Sequence, residues 1–212
     1  MRSLILILNL LAMALHVGTA RAGAYEDILA GAEHNRIETV VSLLQLGLDP
    51  NTAAADGTTL LMTAARNGNL ELVDALLKRR ANHLIRNKFG DTALMLATLN
   101  GQLDVVKRLA DLGGPQENRD GWTPLHYAAF GGRMEVARYL LAKGASINTR
   151  APNTQTALML AAGAGHIEMV KFLIDEEADM NLEDRQGKTA QEIAEAKGHR
   201  AIVDYMALFD VE

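Results

Sequence analysis

Apolar residues recur along the chain in blocks with helical spacing. Leu70, Leu72, Val73, Leu76 and Leu77 form one block, and Leu103, Val105, Val106 and Leu109 a second. Met134, Val136, Ala137, Leu140 and Leu141 form a third, and Ile167, Met169, Val170, Leu173 and Ile174 a fourth. A divergent opening copy is built from Ile37, Val40, Val41, Leu43 and Leu44. These positions fall on one helical stripe. The acidic residue beside each first apolar position (Glu38, Glu71, Asp104, Glu135, Glu168) sits in the first turn, where the helix dipole favours negative charge.

A shorter apolar segment precedes each of the later blocks and opens on threonine. Thr59-Leu60-Leu61-Met62, Thr92-Ala93-Leu94-Met95, Thr123-Pro124-Leu125-His126 and Thr156-Ala157-Leu158-Met159 are one motif, and a more polar copy begins at Thr189. Successive threonines are 33, 31, 33 and 33 residues apart, a period that marks a repeat architecture. The threonine hydroxyl is placed to cap the helix, and Pro124 suits the next position because its missing N–H would be unpaired anyway. A near-constant alanine pair lets the two helices of a unit approach closely. The unit is therefore helix, turn, helix and polar connection. The 31-residue spacing places a two-residue deletion in the connection 113–119, which predicts a tighter projection there with both helices intact. Arg80 and Glu177 stand where Gly47, Gly113 and Gly144 close other units, so a left-handed backbone is expected at both, costing about 1 kcal/mol each.

With these motifs in place the chain resembles the ankyrin-repeat family, whose pattern Asp-Gly-x-Thr-Pro-Leu-His-x-Ala-Ala is met by Asp120-Gly121-Trp122-Thr123-Pro124-Leu125-His126-Tyr127-Ala128-Ala129. The resemblance covers residues 24–212. It implies an all-α solenoid of about six helix-turn-helix units, near 24–55, 56–88, 89–119, 120–152, 153–185 and 186–212. Hairpin-like loops would project from the stack and form one edge of a concave groove. The first and last units would be caps, with Glu26, Glu33, Gln191, Glu192, Glu195 and Lys197 supplying a polar outer face. Met62, Met95 and Met159 replace the family's histidine, so inter-loop hydrogen bonds of that kind are expected from His126 alone and the other loops are expected to rely on packing.

Residues 1–22 differ from the rest: Arg2, an apolar stretch from Leu4 to Leu15 broken by Asn9, then His16 to Ala22, with no acidic residue anywhere and the small pair Ala20 and Ala22 at the end. The run is too short to span a bilayer and reads as a secretory signal, cleaved after Ala22 or after Ala20. Residues 23–212 would then be the ankyrin-repeat domain, periplasmic or secreted, without stable membrane insertion. Losing Arg2 and Arg21 takes the 21 basic residues to 19 against 26 acidic ones, a net charge of -7. An acidic chain without clustered Lys and Arg argues against nucleic-acid binding. The absence of cysteine excludes disulfides, thiolate zinc sites and thiol nucleophiles.

Catalytic chemistry is sparse in the sequence. His126 is the structural histidine of the motif, His166 and His199 follow turn glycines, and neither His34 nor His83 has a ligand partner at helical spacing. The run 179–184 imitates a calcium loop but has Asp184 where glycine is required. No enzyme, no metal and no cofactor are expected.

What remains is a surface. The resemblance places partner contacts at the loop tips and at the exposed ends of the first helices. The candidate residues are Arg66, Lys88, Phe89, Leu99, Arg119, Trp122, Tyr127, Phe130, Arg150 and Gln155. Aromatic residues make up only 4% of the chain, so the gathering of Trp122, Tyr127 and Phe130 suggests a hot spot, with packing against neighbouring loops as the alternative for Trp122 and Tyr127. Arg66, Arg119, Arg150 and Arg185 make the loop row basic, which would suit an acidic patch on a partner. The expected function is a monomeric, non-catalytic scaffold that binds an exported protein. The alternatives are an inhibitor or immunity protein neutralising a secreted enzyme or toxin, and a host-directed effector.

Overall fold

A computed structural model describes residues 23–113, 117–118 and 121–209. Six antiparallel helix pairs follow one another along the chain. The first pair is α1 (residues 23–33) and α2 (Ile37–Gln45); the second is α3 (Leu60–Arg66) and α4 (Leu70–Lys78). Next come α5 (Ala93–Leu99) with α6 (Leu103–Ala110) and α7 (Pro124–Phe130) with α8 (Met134–Ala142). The last two pairs are α9 (Ala157–Ala164) with α10 (Ile167–Asp175) and α11 (Ala190–Ala196) with α12 (Arg200–Met206). The first helices α3, α5, α7, α9 and α11 pack in one row, and the second helices lie behind them. Each unit touches its neighbours, so stability accumulates unit by unit.

The expected caps are visible in the hydrogen bonds. The Thr59, Thr92, Thr156 and Thr189 hydroxyls accept the backbone N–H three residues on, at 3.2–3.5 Å. At Thr123 the hydroxyl bonds His126 Nδ1 instead, at 2.8 Å. Ala64, Ala65, Ala97, Ala128, Ala129, Ala161 and Ala162 are fully buried, and their small side chains allow the close helix contact. The terminal units are polar outside: in α11 only Ala190 and Ala194 are buried, while Glu192, Glu195 and Lys197 face solvent. Arg80 and Glu177 have φ of 63° and 66°, the left-handed backbone expected of them.

A ladder of side chains crosses from each unit after the second to the one before. The residue after the turn glycine donates to a carbonyl at the end of the preceding first helix: Gln102 to Arg66 O, Arg133 to Leu99 O, His166 to Phe130 O and His199 to Gly163 O, at 2.8–3.2 Å. These carbonyls are orphans of the helix C-terminus, and the ladder satisfies them. His166 and His199 are thus structural latches.

The loops are hairpins of one design. Asn87 N–H donates to Asp91 O, Asn118 N–H to Trp122 O, Ala151 N–H to Gln155 O and Asp184 N–H to Lys188 O, at 2.8–3.0 Å. The tips turn through left-handed residues, glycine at 57, 90, 121 and 187 but Thr154 in the fourth of the five loops. The hairpin at 118–122 closes like its neighbours, while most of the shortened connection that precedes it lies outside the described residues.

Neighbouring loops are not joined by packing alone, contrary to the expectation drawn from the methionines. Arg86 donates to Glu117 O, Arg150 to Glu183 O, and Arg185 to Pro152 O. Asn51 and Asn148 side chains accept the backbone N–H groups of Asn82 and Asp179 at 2.7 and 2.9 Å. The reason is geometric: loops stacked side by side present unpaired carbonyls to each other, and a long guanidinium reaches them whatever occupies the histidine position. The methionines act only within their own caps, where the Thr59, Thr92 and Thr156 N–H groups point to Met62, Met95 and Met159 Sδ at 3.4 Å.

Candidate partner-binding groove

Between the loop tips and the ends of the first helices runs an open groove of about 700 Å³. Phe89 and Trp122 line it from the loops, Leu99 and Phe130 from the ends of α5 and α7, and Tyr127 from within α7. Its polar lining comes from Asp91, Asn118, Asn153 and Arg185.

The aromatic side chains divide into two kinds. Phe89 is 58% exposed and Phe130 47%, unusual values for such apolar groups. Trp122 is half-buried and packs edge-on against Tyr127 and Phe130, with ring centroids 5.6 and 5.8 Å away. Tyr127 is buried and forms floor, not contact surface. Its hydroxyl donates to Asp91 Oδ1 in the preceding loop and accepts from Asn118 Nδ2 at 2.8 Å. Asn118 Oδ1 in turn accepts the Trp122 N–H at 2.8 Å. This polar frame fixes the tryptophan on the groove wall.

The other candidate residues are spread along the stack. Lys88 is exposed beside the groove, with Nζ 4.9 Å from the Phe89 ring centroid. Arg66 pairs with Glu33 at 2.6 Å near the first unit, a half-exposed pair worth at most about 1 kcal/mol. Arg150 bonds the next loop, and Gln155 accepts from Asn153 Nδ2 at 2.8 Å. Arg119 lies outside the described residues. Asn118 and Pro152, which line the groove, escaped the sequence reading. The signal for Asn118 was its phase: it stands 31 residues after Asn87, the same interval as Thr92 to Thr123, and Asn87 likewise accepts N–H groups of its own hairpin.

The sequence matches the family model for ankyrin repeats, three copies each, over residues 28–116, 81–151 and 144–211. The chain belongs to the ankyrin-repeat family. No curated protein matches it. As an ankyrin-repeat protein it is a protein–protein interaction scaffold. Among the described residues no group of His, Asp and Glu could hold a metal ion, and no helix is long and apolar enough to cross a membrane.

His126 is buried beside Trp122, with ring centroids 6.2 Å apart. Its Nδ1 accepts the Thr123 N–H at 3.0 Å, so Nε2 carries the proton towards Thr149 O at 3.1 Å. Burial holds the imidazole below its ordinary value of 6.5, although the Thr149 carbonyl opposes this. A group whose native pKa is depressed contributes stability that is complete above its unfolded value and is lost as pH falls through the native one. His126→Met, which installs the residue found at 62, 95 and 159, should therefore fold with a loss of about 1 kcal/mol at pH 7. Between pH 7 and 5 its melting temperature should fall less than that of the wild type. Equal falls in the two proteins would place the acid sensitivity elsewhere.

Proposed function

We propose that this ankyrin-repeat protein is an exported, non-catalytic scaffold that holds another exported protein along its groove. The observation that carries the reading is the pair Phe89 and Phe130, two exposed phenyl rings facing one groove on a rigid stack. Exposed apolar side chains gathered in this way mark interaction sites, and aromatic anchors dominate such interfaces. Export rests on the sequence of residues 1–22, which lie outside the described residues. Cleavage after Ala22 would leave Gly23 at the N-terminus, at the start of α1.

One experiment tests both parts. The protein, with a C-terminal affinity tag, is recovered from outside the cytoplasmic membrane, and its mass and co-purifying protein are determined. The expected mass begins at Gly23, and Phe89→Ala/Phe130→Ala should retain at least about tenfold less partner while melting within about 2 °C of the wild type. Retention of Met1 would refute cleaved export. Undiminished capture by the double variant would refute the groove as the binding surface.

A further inference from the structure

The described arginines of the loop row are tethered to the protein itself, although a neutral carbonyl leaves the charge of Arg150 and Arg185 in place. Arg86, Arg150 and Arg185 each hold a backbone carbonyl, and Arg66 holds Glu33. The groove itself contains a carboxylate. Asp91 is half-buried at the loop root, and only its Oδ1 is engaged, by the Tyr127 hydroxyl. Among the described residues Oδ2 has no hydrogen-bond partner and it is not fully buried, and Asp91 lines the groove. A charge beside apolar walls interacts more strongly than one in bulk water.

The same groove is lined by Phe89, Trp122 and Phe130. Lys88 Nζ over Phe89 already shows that a cation settles on this wall, and Lys88, being exposed, can yield the place. Arg185 is the cation among the lining residues, and its guanidinium is tied to Pro152 O at 3.2 Å. Building on the scaffold reading, we infer that the groove takes an arginine side chain from its partner, the guanidinium stacked on the aromatic wall and bonded to Asp91 Oδ2. Arginine fits better than lysine because its flat, weakly hydrated head stacks on rings while its N–H groups reach a carboxylate. The overall charge of -5 favours the approach of such a segment.

Trp122 is the single tryptophan of the chain, so its emission reports groove occupancy directly. The probes are blocked pentapeptides, alanine except for a central arginine, citrulline, leucine or glutamate. The arginine peptide should shift the emission saturably and bind at least about tenfold more tightly than its uncharged isostere citrulline. Its affinity should weaken with added salt. Asp91→Asn, which keeps an oxygen for the Tyr127 hydroxyl, should abolish the arginine preference while the melting temperature stays close to that of the wild type. Equal binding of citrulline, or tighter binding of leucine or glutamate, would overturn the arginine assignment and leave the scaffold reading standing. If no peptide shifts the emission up to millimolar concentration the assignment also falls, and the scaffold reading falls with it only if partner capture survives Phe89→Ala/Phe130→Ala.

Discussion

Leu158→Ala should destabilise the protein by about 3 kcal/mol and lower its melting temperature by about 6–12 °C. Leu158 is 1% exposed in α9, where every residue from Ala157 to Ala162 is buried because the helix is enclosed by α7, α10 and α11. Its neighbours Ala157, Ala161 and Ala162 have no length with which to fill the space it would vacate, so the cavity term adds to the lost transfer energy. Position in the stack enlarges the consequence. Units α11 and α12 are joined to the rest mainly through α9, with α10 touching α12, and weakening that joint lets the last unit open before the others. Hydrogen exchange should show faster exchange in α11 and α12 than in α3 and α4, and denaturation should broaden. Leu46→Ala, at a residue 80% exposed, should change stability by less than about 0.5 kcal/mol. A similar loss in both variants would mean that burial does not govern stability here.

Gly132→Ala should cost about 2 kcal/mol. Two separate penalties combine. The residue has φ of 65°, where a side chain is strained, and an added Cβ would lie 2.9 Å from His166 Nδ1. Relieving that contact moves the imidazole away from the Phe130 carbonyl it holds at 3.0 Å. Gly144→Ala separates the two causes, since φ there is 87° but nothing lies within 4 Å of the added carbon. It should cost only about 1 kcal/mol. Combining Gly132→Ala with His166→Ala should give less than the sum of the single losses, because the latch can be lost only once. Additive losses in a double-mutant cycle would show that the steric contact plays no part. Because Phe130 carries both the latched carbonyl and an exposed ring, Gly132→Ala should also weaken partner capture.

Much of the groove was legible from repeat phase alone. Phe89, Leu99, Trp122 and Phe130 occupy positions that the 33-residue period assigns to loop tips and helix ends, and all four line one groove. Tyr127 lies instead in the middle of α7, and its ring forms the floor, its hydroxyl donating to the carboxylate of Asp91, 36 residues earlier. Trp122 is likewise shared between wall and packing. Replacing it should disturb Tyr127 and Phe130 together, which makes Phe89 and Phe130 the cleaner probes of binding.

Sequence by itself determined the helices, their caps, the left-handed closures at Arg80 and Glu177 and the order of the units. All of these follow from interactions within three or four residues, or from apolar stripes that must be buried against an identical neighbour. Only the tertiary structure decided where the arginines go, which aromatic rings remain exposed and which oxygen of Asp91 is left open. Those outcomes depend on contacts between residues 31–36 apart, in adjacent loops that compete for the same carbonyls. A repeat pattern says which positions are equivalent; it does not say which of two neighbours a long side chain will choose, since that choice is set by the geometry of the assembled stack.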